Sequence, residues 1–528
     1  MYRNSNSSEI NCKESGGDSA LLCKDRNEFF ETSHLKGDLK SRAVKGGFIT
    51  IVARGIDFLV HMVGTVVLAR LLSPQDFGLL AMVLALTGFF VIFKDMGLSD
   101  ATVQSEKINH AQVSTLFWLN LLFGVLIFIS AIVISPFVAW FYGEPRLLPI
   151  TIISSVSFVF AGISIQHLAL LRRNMKFSNI AVVEIGASVL SITVAISMAL
   201  GRFGIWALVA RPLVLALFKA VGMWLFCAWR PGLPRRNSGV RSLIRFGANT
   251  TGFYLINYFS RNLDKVLVGW AVGPVVLGFY HKAFHLFVLP VNQFSIPLQS
   301  VAVTTLTKLR NDPQQYKRYF LKALALLAFI GMPMSAYIAS VGDMLILIML
   351  GESWMGAADI FAVFGLGAGM QIIYAAQGWL HVSLGRADRW FRWGIFGSFC
   401  TVLFFLGGLR FGAVGVAAGY TLSLYVLTFP ALWYAGKPIK LSLKKIWNSI
   451  WRYYLASVLA GVGSFILSKN MDHVNVFARL FMSTSVFLLL YLSFIVLLFR
   501  SFSPVSNFVK LVADNLPLRS KKIKTVDL

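Results

Sequence analysis

Apolar runs of about 20 residues recur along almost the whole chain, each long enough to carry a helix across the roughly 30 Å hydrocarbon core of a bilayer. They fall near residues 46–70, 79–98, 112–140, 147–171, 179–200 and 204–229. Past the basic stretch "RPGLPRRNSGVRSLIR" they resume near 243–270, 278–305, 319–341, 356–384, 393–410 and 413–436, and two more lie near 449–468 and 475–499. The pattern predicts an all-α integral membrane protein with about 14 transmembrane helices. The connections are short, which leaves no room for a soluble catalytic domain.

The first half echoes in the second. "VLARLLSPQDFGLL" (Val67 to Leu80) reappears as "LVGWAVGPVVLGFY" (Leu267 to Tyr280), and at an offset of 200 Gly47 falls on Gly247, Ile56 on Ile256, Pro74 on Pro274, Gly78 on Gly278 and Leu98 on Leu298. "RFGIWALVA" from Arg202 meets "RFGAVGVAA" from Arg410, with the offset grown to 208. Pro fixes φ and Gly admits positive φ, so both are residues that a tight turn selects. The echo predicts a parallel repeat of two six-helix lobes, 46–229 and 243–436, joined by a basic linker over 230–242 and followed by two additional helices within 449–499. Two such lobes with a cleft between them suit alternating access in a transporter. Residues 1–45 read as a polar cytoplasmic tail without order, and residues 500–528 as a basic cytoplasmic tail.

Composition agrees with the pattern. Of 528 residues, 56% are hydrophobic and 14% charged, an apolar share that a water-exposed domain does not carry. The first 45 residues hold eight Lys/Arg against seven Asp/Glu and no apolar run, so the start of the chain lacks the basic, apolar and small-residue sequence of a cleavable signal. Lys and Arg number 21 in one set of alternate loops and five in the other, which predicts that both termini are cytoplasmic. That asymmetry accounts for most of the net charge of +26: the basic loops face anionic membrane lipids, and nucleic acid need not be invoked. The four cysteines, Cys12, Cys23, Cys227 and Cys400, suggest neither a disulfide framework nor a metal-ligand spacing.

Charges inside the spans carry the candidate chemistry, because each costs about 2.5 to 3.5 kcal/mol at a helix centre unless it faces a cavity or a partner. The first span holds Arg54, Asp57 and His61, and the seventh holds Arg261, Asp264 and Lys265. Within each, Arg and Asp are three residues apart, which permits a local ion pair. Glu184 stands in the fifth span, Arg211 and Lys219 in the sixth, and His281, Lys282 and His285 in the eighth, ahead of Asn292 and Gln293. One reading is a water-filled, net-positive cleft for phosphate or acidic sugars, in which Arg grips phosphate oxygens in pairs. The other is that the Arg/Asp pairs hold helix ends and Lys282 snorkels to an interface. Asp57, Glu184 and Asp264 are the candidates for ion coupling, Glu184 foremost because no basic residue lies within a helical turn of it.

Other chemistry is absent from the sequence. There is no G-x-x-x-x-G-K-[ST] phosphate loop, and "GLGAGM" (Gly365 to Met370) lies within an apolar span, where small residues serve close helix packing. No Ser/His/Asp motif or zinc pattern is seen, so no cofactor, no metal and no catalytic residue is expected. Aromatic clusters such as "WRYY" and "WFRW" fit an interfacial belt as well as sugar stacking.

Several stretches resemble a known family. "VLARLLSPQDFGLLAMVLALTGFFVIFKDMGLSDATVQ", "STLFWLNLLFG", "LLRRNMKFSNIAVVEI", "INYFSRNLDKVLVGWAVGPVVLGFY" and "LGESWMGAADIF" are similar to the polysaccharide transporter family of the multidrug/oligosaccharidyl-lipid/polysaccharide exporter superfamily, the lipopolysaccharide and exopolysaccharide flippases in particular. The resemblance implies two six-helix lobes plus two helices, a cationic central cavity, and movement of an undecaprenyl-diphosphate-linked oligosaccharide across the bacterial inner membrane. It also implies coupling to H+ or Na+, with membrane lipids, polysaccharide polymerase and glycosyltransferases as candidate partners. Arg54, His61, Arg211, Arg261, Lys265 and Lys282 are the substrate-binding candidates on this view. An antiporter of drugs or small cations with the same fold remains the alternative, although it would want acidic rather than basic residues. A membrane-embedded polymerase or ligase would want a larger external loop, and a scaffold would have no need of buried charge.

Overall fold

The computed structural model describes residues 30, 39–95, 97–105, 108–234, 258, 262–471 and 473–506. Among these residues the regular structure is entirely helical, as expected where hydrocarbon offers no partner to a backbone amide and a helix must satisfy its own. The chain divides into two compact units, Met1–Trp270 and Ala271–Leu528.

In the first unit α1 spans Leu39–Leu71, α2 Pro74–Thr87, α3 Phe90–Phe93, α4 Leu98–Gln104, α5 His110–Tyr142, α6 Leu147–Arg173, α7 Phe177–Leu200 and α8 Ile205–Phe226. Residues 262–272 are helical as well and form α9. The second unit holds α10 (Pro274–Lys308), α11 (Pro313–Leu350), α12 (Ala358–Ser383), α13 (Ala387–Leu409), α14 (Gly412–Gly436), the short α15 (Leu443–Asn448), α16 (Trp451–Lys469) and α17 (Val476–Phe499). Eleven helices among the described residues are long and apolar enough to cross a membrane, and α2 with its bent continuation makes a twelfth. Of the fourteen crossings expected from sequence, the seventh lies largely outside the described residues. The thirteenth is the 19-residue α16, which is not among those apolar enough to count.

The second span differs from the expected single helix over 79–98. It breaks after Thr87 and resumes at Phe90, and the two parts are bent by 52°. At the break the Leu84 carbonyl accepts from Gly88 N–H at 2.8 Å and from the Tyr258 hydroxyl at 2.5 Å. Farther on, Gly97 adopts a left-handed φ of 72° just ahead of α4. Asp95 holds that turn, accepting from the amide of Ser99 at 2.9 Å and from its hydroxyl. At the other end α2 starts with a capping box, Ser73 and Asp76 each bonding the other's backbone, with Pro74 in the first turn where its missing N–H is harmless. Within the expected polar tail, residues 39–45 already belong to α1, and Phe30 is buried beside Leu98, Phe117 and Trp229. Arg173 fixes that corner through the carbonyls of Thr102 at 3.1 Å, Ser105 at 2.5 Å and Phe30 at 3.4 Å.

The echo in the sequence has a counterpart in packing. In the first unit α5 lies along α6, α6 also meets α8, and α7 pairs with α8; in the second, α11 lies along α12, α12 meets α14, and α13 pairs with α14. In the first unit α1 packs on α7, and in the second α16 and α17 pack on each other and on α11. The matched turns before α8 and α14 both use the "RFG" glycine at positive φ, 54° at Gly204 and 67° at Gly412. The helix crossings match too. A Cβ on Gly162 would stand 2.7 Å from the Asn120 carbonyl across the α5/α6 crossing, and one on Gly369 would stand 2.7 Å from the Gly331 carbonyl across α11/α12. Gly124 and Gly162 map onto Gly331 and Gly369 at an offset of 207. Gly369 belongs to the "GLGAGM" stretch, whose small residues therefore serve backbone approach.

These contacts predict that Gly162→Val or Gly369→Val, each forcing backbones apart, lowers the thermal midpoint of the detergent-solubilised protein. The cost should be at least the ~1 to 3 kcal/mol of overpacking a core. Gly186→Val, where an added Cβ meets nothing within 4 Å, should leave the midpoint within about a degree.

Candidate functional site

At 100° per residue, Arg54, Asp57 and His61 fall within about 60° of one another on α1, and Val52, Leu59 and Val63 occupy the opposite side. The polar stripe turns toward α7 and α8. Ser188 on α7 donates its hydroxyl to Asp57 Oδ1, and the same hydroxyl lies 3.5 Å from His61 Nε2. Arg211 on α8 points its Nη2 at His61 Nδ1. Arginine only donates, so Nδ1 accepts and the ring proton sits on Nε2, which lies 3.6 Å from Asp57 Oδ1. The result is a relay running from Arg211 through His61 to Asp57, with about 37% of the histidine side chain and 38% of the aspartate still exposed.

This arrangement corrects the ion pair expected from spacing. Arg54 and Asp57 form no salt bridge among the described residues; Asp57 turns to Ser188 and His61 because these approach it from α7 and from the next turn of α1. Arg54 is left exposed on the same stripe. Glu184, one turn before Ser188 on α7, is half-buried and makes no ion pair among the described residues. Lys219, two turns beyond Arg211, lies within electrostatic reach of both His61 and Lys94. Lys94 was not singled out in the sequence, where "FKDMG" reads as the end of an apolar span. The break in that span holds Lys94 half-buried, with Asp95 committed to the start of α4. Ser188 left no signal, being one small polar residue among several on α7.

The remaining candidates lie elsewhere along the chain. Arg261 lies outside the described residues. Asp264 is 2% exposed, and Lys265 donates from Nζ to Asn262 Oδ1 at 2.8 Å. In the second unit Lys282 on α10 is 6% exposed, so it does not snorkel, while His281 is half-buried and His285 exposed. Nearby on α10, Phe284 and Phe287 pack with Phe364 and Tyr420 at centroid separations of 5.3 to 6.2 Å, as aromatic packing within the unit.

Residues 67–359, more than half the chain, match the family described as polysaccharide biosynthesis protein. The chain belongs to that family. Within it, the chain is 28% identical over 411 residues to the teichuronic acid biosynthesis protein TuaB of Bacillus subtilis (strain 168), covering 76% of this chain and 83% of TuaB. It is 24% identical over 437 residues to the lipopolysaccharide biosynthesis protein WzxC of Escherichia coli (strain K12), covering 81% and 88%. Among solved structures it shares the fold of the lipid II flippase MurJ in an inward closed conformation, with a TM-score of 0.68 and 15% identity over 87% of this chain and 99% of that one. This member of the polysaccharide biosynthesis family is therefore a multi-pass membrane protein that shares the fold of MurJ, an all-α membrane fold as the sequence led one to expect.

If the stripe on α1 faces water, a membrane-impermeant maleimide should label Asp57→Cys and Lys219→Cys in a variant stripped of native cysteines. Leu59→Cys and Val63→Cys, both 61% exposed but apolar-faced, should resist it. Equal labelling of the two sets would remove the distinction between a wetted and a lipid-covered side.

Proposed function

We propose that this protein is a secondary-active flippase that moves a lipid-linked oligosaccharide, an undecaprenyl-diphosphate-linked repeat unit, across the bacterial inner membrane for surface polysaccharide assembly. The observation that carries the proposal is the Arg211 guanidinium held on His61 among apolar helices. One donor is spent on the imidazole, and its remaining donors make no hydrogen bond among the described residues. A guanidinium so oriented suits the paired oxygens of a diphosphate. Arg54, Lys94 and Lys219 add positive charge in the same unit, and Arg261, Lys265 and Lys282 extend the cationic set. The family match and the names of TuaB, WzxC and MurJ point to the same class of cargo.

Coupling falls to Glu184 in this reading. Asp57 is held by Ser188 and His61, which leaves Glu184, half-buried on α7 and without an ion pair among the described residues, as the coupling carboxylate. Alternating exposure of the site to the two sides then follows the protonation of Glu184. The drug-antiporter alternative is disfavoured by the same charges, since a cationic drug would meet Arg54, Lys94, Arg211 and Lys219.

In a deletion host, lipid-linked oligosaccharide should accumulate on the cytoplasmic face of the inner membrane, as read with a probe that does not cross it. Wild type should restore external exposure. Arg211→Gln, present at equal level in the membrane, should lose about tenfold or more of it, the scale of one charged hydrogen bond. Full external exposure in the deletion host would overturn the assignment. In everted vesicles Glu184→Gln should abolish the response of transport to an imposed pH gradient while leaving substrate binding intact; an unchanged response would move the coupling group elsewhere.

A further inference from the structure

Where α13 begins and α14 ends, Arg386, Arg389, Arg392 and Lys437 converge with Asp388 and Tyr434 around an open cavity of about 470 Å³. Four cations thus meet one carboxylate. Topogenic charge explains why Lys and Arg collect in a loop, but it asks nothing of their arrangement. Here the arrangement is built. Arg389 lies 4.3 Å over the Tyr434 ring and donates from Nη2 to the Tyr434 carbonyl at 2.5 Å. Tyr434 stacks on Trp393 at 5.6 Å, and the Trp393 indole donates to the Tyr374 hydroxyl at 3.1 Å. The back wall is therefore rigid, with its aromatic rings fixed from three helices.

The front of the cavity is different. Arg386 and Arg392 are exposed and make no ion pair among the described residues, and Lys437 rests over the Trp433 ring at 5.7 Å. Arg386 is the residue that precedes α13, and no side chain caps that helix. Its first amides add a second attraction for an anion. Depth is marked independently, because Trp390 and Trp433 are exposed at the ends of these two apolar helices, where indoles settle at headgroup level. Two exposed guanidiniums, an exposed lysine and a helix start at that depth match the oxygens of a phosphate.

We infer that this cavity is a phosphate-binding site at the membrane surface, filled by the diester headgroup of an anionic phospholipid. The site is built wholly from the second unit and does not depend on the transport reading.

The test uses the full-length protein in detergent, titrated with phosphatidylglycerol and, separately, with phosphatidylcholine, whose ammonium cancels the headgroup charge, with bound lipid counted by native mass spectrometry. Wild type should prefer phosphatidylglycerol by about tenfold or more. The triple variant Arg386→Gln/Arg392→Gln/Lys437→Gln, which spares Arg389 and its wall, should lose the preference at an unchanged thermal midpoint. Should the triple variant melt early, the single exposed change Arg392→Gln carries the same comparison and should weaken the preference. Phosphatidylglycerol that survives millimolar inorganic phosphate supports the lipid; displacement by inorganic phosphate supports the phosphate site and assigns it to the soluble ion. Equal retention of the two lipids by wild type, or an undiminished preference in a well-folded variant, overturns the inference.

Discussion

Hydrocarbon neither donates nor accepts hydrogen bonds, and the organisation of this protein follows from that one property of its solvent. Backbone groups are satisfied within helices, so the sequence is spent on deciding how helices touch. They approach closely at glycine, as where Gly162 and Gly369 let one backbone rest on another and where Gly408 faces Gly415 between α13 and α14. Polar groups that remain in the spans must find each other, and on the first unit they do so across three helices: Arg211 on His61, His61 near Asp57, Asp57 on Ser188. The same solvent makes those contacts informative, because a charge kept in an apolar span is retained against a standing penalty.

Much of the fold could be read in advance because its determinants are periodic and local. Apolar length located most crossings, and Pro74 and Pro274 each begin the helix that their turn position implied. The "RFG" repeat marked two matched turns because positive φ narrows the choice of residue. Where the reading failed, the cause was non-local. Periodicity predicts a continuous second span, because it holds no trace of the contacts that Tyr258 and Phe158 make at the break from elsewhere in the chain.

The site was legible in its residue types and not in its wiring. Asp57, His61 and Arg211 were visible as charges out of place, yet spacing alone paired Asp57 with Arg54, its neighbour on the same helix. The structure pairs it with a serine 131 positions distant, a partner that no periodicity announces. Lys94 was hidden for a related reason: at the end of an apolar run a lysine looks like a boundary marker until the chain is seen to bend there.

The bend in the second span is anchored from outside that span. The Leu84 carbonyl keeps its Gly88 partner in a helical geometry and is bonded from outside by the Tyr258 hydroxyl, while the Tyr258 ring packs against Phe89, and Phe90 packs with Ile127, Ala131 and Phe158. One neutral hydrogen bond is worth about 0.5 to 1.5 kcal/mol net. By itself that bond shifts the population of the bent state by roughly tenfold at most, since about 1.4 kcal/mol is a factor of ten, and the aromatic packing adds to it. A methyl group at residue 88 would crowd the Tyr258 hydroxyl, and so would contest one of these anchors while leaving the aromatic ones in place.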